Sequence, residues 1–497
     1  MQQEHGYEPV YWIGYEFDNS KNVIPKAFPN VIFHPYFNAS KGIFPKEISD
    51  RFPGSNINID FLKDIAHDEL LTIKMMDRMD PYRYGFNFME RQRHFRNLLK
   101  YWHACIDYLK PDMVVSERIP HQAFDYALYL MCKYKKIKFV TFCGSAFLGR
   151  YIPLTDVSSI GDIFDEEYAG YLKSDFSIEE LKGNLPEDII TYYEKMKLDY
   201  ALAEPFYMKK HLVEHKQSST ILSLTKKFVL DMNQFKENYF GKNGYFKKGI
   251  PSFWKQRCKS IETSSTTVLN YSFLKMNANA FKKKLKKVYD SLVEEPDFNV
   301  PYVIYNLHYQ PEATSNPSGG IFVDQRLCID VLAKQLPSDC LIYVKEHRSQ
   351  FYSHLLGHTG RIPEFYKDLL AYPQVRLMPL HTDPFSLIKN SRAVATITGT
   401  TGWEAMVMGK PVINFGLSWY EKYHGVLRVV DEKTATTIGP FIENFKFDER
   451  NLLAYLNAFI RKSIKVYAQR AWYEKLNEDK SEFVNVFAES IFQMASK

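Results

Sequence analysis

Short apolar runs alternate with stretches of helical spacing through the last third of the chain. Tyr302–Leu307, Leu341–Val344, Val375–Met378, Ala393–Ile397 and Pro411–Phe415 are apolar segments of four to six residues. Between them, Gln325–Gln335, Pro363–Leu370, Pro384–Asn390 and Thr401–Met408 repeat apolar residues at the spacing of a helix face. Brief, continuously apolar strands separated by helices predict a parallel sheet covered on both sides. Ligands of such sheets bind beyond the carboxyl ends of the strands.

The first part carries the same pattern less cleanly. Asp112–Val115 and Ile137–Phe142 read as strands around a helix at Gln122–Tyr134, preceded by a helix near Phe88–Leu109. Val10–Ile13 and Val31–Phe33 are further strand candidates. Between Ile163 and Ser260 the chain turns rich in Tyr, Phe, Lys and Glu with helical spacing, which predicts helices packing as core. Glu294-Glu295-Pro296-Asp297 is the best linker. The expected organisation is a first α/β domain over 1–290 with a helical insertion at 163–260. A second α/β domain follows over 300–450. Closing helices over 451–497 (Asn451–Lys462 and Glu482–Met494) are expected to pack near the first domain.

A chain of 497 residues is long enough for two ordinary cores. A net charge of +6 is too weak a basic balance to argue for nucleic acid, and it suits acidic ligands or an anionic membrane surface. Cys105, Cys132, Cys143, Cys258, Cys328 and Cys340 form no C-x-x-C pair, so reduced thiols are expected and a zinc site is not. The start, Met1-Gln2-Gln3-Glu4-His5, lacks the pattern of a signal peptide. No run reaches the roughly 18 apolar residues of a membrane span. A cytoplasmic protein is expected. The basic run Lys282-Lys283-Lys284-Leu285-Lys286-Lys287 reads first as a solvated helix face, with a peripheral membrane contact as the minority alternative.

Three polar constellations follow strands of the second half. His308-Tyr309-Gln310-Pro311-Glu312 comes directly after Tyr302–Leu307. A Glu in that loop suits a general base or a nucleophile, against the bland reading of a surface carboxylate. Lys345-Glu346-His347-Arg348 ends the next strand, where cationic side chains suit a phosphate or a sugar carboxylate, against a solvated charged loop. Thr398-Gly399-Thr400-Thr401-Gly402 opens a helix, whose N–H groups and dipole suit a phosphate. Glu404 in that helix is either a capping partner or an acceptor for a ribose. Trp419-Tyr420 could stack on a base or a sugar, or anchor packing. In the first domain, Pro120-His121 and Asp125 read first as a helix cap and second as catalytic groups.

The order of these motifs, Gln310-Pro311-Glu312, Lys345-Glu346-His347, Thr398 to Ala405, Gly409-Lys410-Pro411-Val412, then Phe415-Gly416 with Trp419-Tyr420, resembles bacterial capsule polysaccharide biosynthesis proteins. These include the Kdo transferases of capsule and lipopolysaccharide assembly. The resemblance covers about residues 300–430. It implies the GT-B fold, two Rossmann-like domains facing across a cleft, and a metal-independent glycosyltransferase building a surface polysaccharide. The nucleotide-sugar donor, CMP- or UDP-linked, would be a substrate, with no cofactor. The acceptor would be a glycan or glycolipid, met in the cytoplasm or at the cytoplasmic face of the inner membrane. The implied catalytic carboxylate is Glu312, and His308 and His121 are the further catalytic candidates should Glu312 not serve. Implied binding residues are Gln310, Lys345, His347, Arg348, Thr398, Gly399, Thr400, Thr401, Gly402 and Glu404. The family's His-Pro pair is broken here by Arg348. A nucleotide-sugar 2-epimerase, a polyol-phosphate transferase and a non-catalytic sugar-nucleotide-binding protein are the alternatives on the same fold.

Overall fold

Six parallel strands form the sheet that the last third of the sequence predicts. In this computed structural model the described residues are 6–15, 20–51, 57–80, 86–198, 236, 268–352, 355–466 and 480–496. Most of the segment expected as a helical insertion, 199–260, lies outside them, as does Cys258. The chain divides into two compact units. One comprises Met1–Thr141, Ser218–Ala278 and Phe487–Lys497, and the other Phe142–Gln217 and Asn279–Val486.

The first unit opens with β1 (Tyr11–Gly14) paired in parallel with β2 (Ile32–Pro35). The Phe88–Leu109 helix starts at a reciprocal cap, Asn87 accepting from the Glu90 N–H and Glu90 from that of Asn87. It packs through Trp102, whose indole N–H reaches the Phe124 carbonyl at 2.9 Å. Strand β3 (Met113–Val115), the Ala123–Lys135 helix and the start of β4 (Lys138–Gly144) make the expected β-α-β unit, with β3 and β4 parallel.

The second unit contains β5 (Arg150–Leu154) and the six-stranded sheet: β6 (Tyr302–Asn306), β7 (Leu341–Lys345), β8 (Val375–Met378), β9 (Ala393–Thr396), β10 (Val412–Asn414) and β11 (Val426–Arg428). The spatial order is β11-β10-β9-β6-β7-β8 and every pair is parallel. Side chains alternate between two cores, as the period of a strand requires. Tyr302, Ile304, Tyr343, Val394 and Val412 bury in one, and Val303, Tyr305, Ile342, Ala393, Ala395 and Ile413 in the other. The two-residue β12 (Ile464–Lys465) pairs antiparallel with β5.

Two placements differ from the sequence expectation. The described part of the presumed insertion belongs to the second unit, and so does the Glu449–Lys462 helix. That helix buries every residue from Leu452 to Phe459, so its apolar surface is too broad for one neighbour. It is covered by the Asp165–Lys173 and Ile178–Gly183 helices. Tyr168 meets Tyr455 edge-on at 5.0 Å, and the Asn457 amide donates to the Leu181 carbonyl at 2.9 Å. The closing residues from Phe487 onward belong to the first unit.

The basic run lies on the Val268–Asp290 helix. Leu285 and Tyr289 are buried, while Lys283, Lys284, Lys286 and Lys287 face outward, as a solvated face should. Lys282 departs from this: it is buried and donates to the Leu355 carbonyl at 3.0 Å. Among the described residues no helix is long and apolar enough to cross a membrane.

Candidate functional site

The strand order reverses between β6 and β9. From β6 the chain proceeds to β7 and β8 on one side, and from β9 to β10 and β11 on the other. Loops leaving such a pair diverge and leave a crevice at the carboxyl ends of the strands. Here those loops begin at Leu307 and Ile397, and they touch. The backbone N–H of Thr398 donates to His308 Nε2 at 3.3 Å, and the Thr398 hydroxyl to the Thr314 carbonyl at 3.0 Å. Because Nε2 accepts an N–H, the neutral ring carries its proton on Nδ1. Nδ1 is buried and makes no hydrogen bond among the described residues. Burial first, then the charges of His347 and Arg361, push the imidazole down to about 3, so it is neutral at physiological pH. Gly399 permits this approach: a Cβ there would stand 2.8 Å from Thr396 Oγ1 and 3.3 Å from His308 Nε2.

Gly399 is also the N-cap of the Thr400–Val407 helix, and no side chain caps that end. Its first N–H groups therefore have no partner within the helix. The Thr401 hydroxyl accepts from the Asn306 amide at 3.5 Å. Gly402 lies against Tyr420, whose hydroxyl would be 2.5 Å from a Cβ there and donates to the Gly399 carbonyl at 2.6 Å. Tyr420 thereby braces the turn from below. Trp419 packs among Trp403, Tyr455 and Phe459, so this pair anchors the core and does not present a stacking face.

Glu404 was expected either to cap the helix or to meet a ribose. It caps no backbone N–H. It lies beyond the first turn, is 3% exposed, and among the described residues accepts only from the Thr400 hydroxyl, at 3.2 Å. Burial, only partly offset by that bond, raises its carboxyl to about 7.

A residue that sequence reasoning missed holds the β6 and β7 loops together. Arg361 is fully buried with Glu346, Nε to Oε2 at 2.9 Å. Its other nitrogens donate to Gln310 Oε1 at 2.8 Å and to the His308 carbonyl at 2.9 Å. Glu346 further accepts from the Tyr366 hydroxyl at 2.7 Å and from the His347 N–H at 2.8 Å. Gln310 thus braces these loops from within; its own amide donates to the Val323 carbonyl at 2.7 Å. Gly360 beside Arg361 is the one local signal: a Cβ there would be 2.2 Å from the Gln310 carbonyl oxygen.

The remaining expected residues separate. His347 Nδ1 accepts the Ser349 N–H at 3.2 Å and caps the short turn Arg348–Phe351, so the neutral ring presents Nε2–H as its donor. The ring lies 6.3 Å from Tyr309. Lys345 and Arg348 converge instead on the Leu380 carbonyl, each at 3.1 Å. Lys345 is buried, and burial with the Arg348 charge brings its amine down to about 8. That makes Lys345 a brace between β7 and the loop after β8. Glu312 is half-buried beside Tyr309, where burial and then the Glu312 charge push the phenol up to about 12.

His121 lies in the first unit and its groups serve a helix cap. Its Nδ1–H donates to the Ile119 carbonyl at 2.8 Å, and its backbone N–H to Asp125 Oδ1 at 3.0 Å. Burial brings its imidazole down to about 4 and raises the Asp125 carboxyl to about 7.

Residues 320–428 match the family model described as capsule polysaccharide biosynthesis protein. The resemblance read from the sequence holds over that span, which includes Lys345–Arg348 and Thr398–Glu404 and begins after His308 and Glu312. The capsule polysaccharide modification protein LipA of Neisseria meningitidis is 31% identical over 94 residues, 19% of this chain. The match spans 13% of that protein's length. Among solved structures, KpsC of Thermosulfurimonas dismutans, beta Kdo 2,7 transferase, is 16% identical, with 42% of this chain and 62% of that one covered and a TM-score of 0.24. UDP-GlcNAc 2-epimerase of Methanocaldococcus jannaschii is 12% identical over 73% of this chain and 77% of its own, also with a TM-score of 0.24. At such scores neither likeness bears on the reaction.

Proposed function

We propose that this protein transfers a sugar from a nucleotide-activated donor to a growing bacterial surface polysaccharide, with the donor phosphates at the β6/β9 switch point. The observation that carries this reading is the His308–Thr398 bond. It joins the β6 and β9 loops beside the start of the Thr400–Val407 helix, whose first N–H groups are capped by no side chain among the described residues. Charge that develops on a departing phosphate would be met by groups already oriented, which is where electrostatic stabilisation is largest. The hydroxyls of Thr400 and Thr401 and the Nε2–H of His347 would complete the anion site, with Glu404 acting through Thr400. The match of residues 320–428 to capsule polysaccharide biosynthesis supports the polysaccharide side of the reading.

The first test is a thermal-shift comparison of CMP, UDP, GDP and CDP, since a ligand of the native state raises the melting temperature by mass action. One nucleotide class should stand out. Thr401→Ala should then weaken its binding by about 1.5–3 kcal/mol, the value of a hydrogen bond to a charged group. Calorimetry showing unchanged affinity in both Thr401→Ala and His347→Ala would remove the phosphates from this crevice.

Glu312 is the proposed catalytic carboxylate. As a base it takes the proton of the acceptor hydroxyl while the bond from the anomeric carbon to phosphate oxygen breaks. As a nucleophile it forms a glycosyl-enzyme that the acceptor then attacks. Glu312→Gln keeps the shape and removes the charge, so transfer should collapse while nucleotide affinity stays near normal. A sugar adduct in intact-protein mass spectra would select the nucleophile. Near-normal turnover by Glu312→Gln would exclude both roles.

A further inference from the structure

A second concave surface of the same unit is built from helices that carry no switch-point residue. A cavity of about 410 Å³ is lined by Glu167, Gly170, Tyr171, Phe176, Asn184 and Arg461. These residues come from the Asp165–Lys173 helix, the loop after it, the end of the Ile178–Gly183 helix and the Glu449–Lys462 helix.

The cavity combines two kinds of surface. Tyr171 and Phe176 present rings 6.2 Å apart, tilted by 41°, and Phe176 is 40% exposed. An exposed ring of that size is normally buried unless held out. Here it is held: Arg450 Nε donates to the Phe176 carbonyl at 2.9 Å, and the Arg450 guanidinium also binds the Ser174 carbonyl. Around the rings stand a guanidinium, a carboxylate and an amide. Arg461 Nε donates to the Tyr171 hydroxyl at 3.4 Å, and the Glu167 charge acts on its guanidinium. Glu167 pairs on one oxygen with Lys462 at 3.4 Å. The floor is rigid, because Tyr168, Leu181 and Leu185 are buried in the core beneath it.

A pyranose has the complementary chemistry. One face presents aliphatic C–H groups that lie against an aromatic ring, and its edge presents neighbouring hydroxyls. Those hydroxyls suit the paired nitrogens of a guanidinium or the paired oxygens of a carboxylate. The cavity has the volume of a small-ligand site. We infer that this groove binds a sugar unit of a glycan chain, apart from the switch-point crevice. The inference rests on the polysaccharide reading for the identity of the chain, and on the groove alone for its location. A second hold on the growing glycan would keep it at the enzyme between transfers, by raising its effective concentration.

The test uses the full-length protein and an array of bacterial capsular and lipopolysaccharide oligosaccharides. Wild type should retain at least one of them. Phe176→Ala and Arg461→Ala should each weaken that binding about tenfold or more, a loss visible as a shift in Kd. Both side chains are exposed, so melting temperatures should stay near wild type. In parallel, the thermal shift with the nucleotide that binds wild type should be unchanged in both variants. Oligosaccharide binding that survives both substitutions, or no binding by wild type, overturns the groove. Loss of binding to phosphatidylglycerol vesicles in the variants, with the array signal intact, makes the surface a membrane contact and also overturns it. Absence of any nucleotide shift in wild type is the separate failure of the glycosyl-transfer reading.

Discussion

Arg361→Met should lower the stability of the protein by about 3–5 kcal/mol, the cost of leaving one member of a buried ion pair alone. Both partners are shut away from water, with side chains 0% exposed. In the variant Glu346 keeps the Tyr366 hydroxyl and the His347 N–H but loses its countercharge. The double variant Arg361→Met/Glu346→Gln should recover a large part of the loss, since it removes the stranded charge. Denaturant midpoints of wild type and the two variants measure this. A single-variant cost below about 1 kcal/mol would show that the pair contributes little more than an exposed one. The loss should also reach the site, because Arg361 anchors the His308 carbonyl and the Gln310 side chain.

Glu404→Gln should have the opposite sign. The folded protein holds this carboxyl at about 7 against an ordinary 4.5. Between those values the native state keeps a proton that the unfolded chain releases. Stability from this group is therefore highest below 4.5, falls as pH rises towards 7, and is level above it. At pH 8 the charged form is carried at a cost of up to about 3 kcal/mol. Glutamine can still accept from Thr400 without that cost, so the variant should melt higher than wild type at pH 8, with the gap closing towards pH 4.5. An equal gap at both ends would mean that packing, not charge, separates the two proteins. A carboxylate kept at such a cost beside the turn proposed to bind the donor phosphates is the stability–function exchange expected of a working site. Nucleotide affinity should fall in the same variant that gains stability.

Much of the second unit was legible because buried parallel strands are continuously apolar and their boundaries are punctuated. All five strands expected there are present within a residue or two, and so are the helices between them. The strand at Val426–Arg428 was not, since three residues are too few to carry a period. Arg150–Leu154 was hidden by Pro153, which reads against a strand. The turn at Thr398–Gly402 was legible for a different reason: glycine and threonine at a strand-to-helix junction have few roles besides a close backbone approach and hydroxyl donation.

The chain pattern alone determined the α/β class, the strands of the second sheet, and the three polar segments that leave their carboxyl ends. Each of these is local, decided by side-chain period and by turn residues within a few positions. Only the tertiary structure decided which polar residues brace the fold. Arg361 reaches Glu346, Gln310 and His308 across 15, 51 and 53 residues of sequence. Apart from Gly360, nothing near Arg361 announces those partners. In the same way Lys345 and Gln310 are held by groups far off in sequence, the Leu380 carbonyl and the Arg361 guanidinium. The return of β9 beside β6 is equally non-local, because strand pairing is settled by packing on both faces of the sheet. That pairing brings His308 to Thr398.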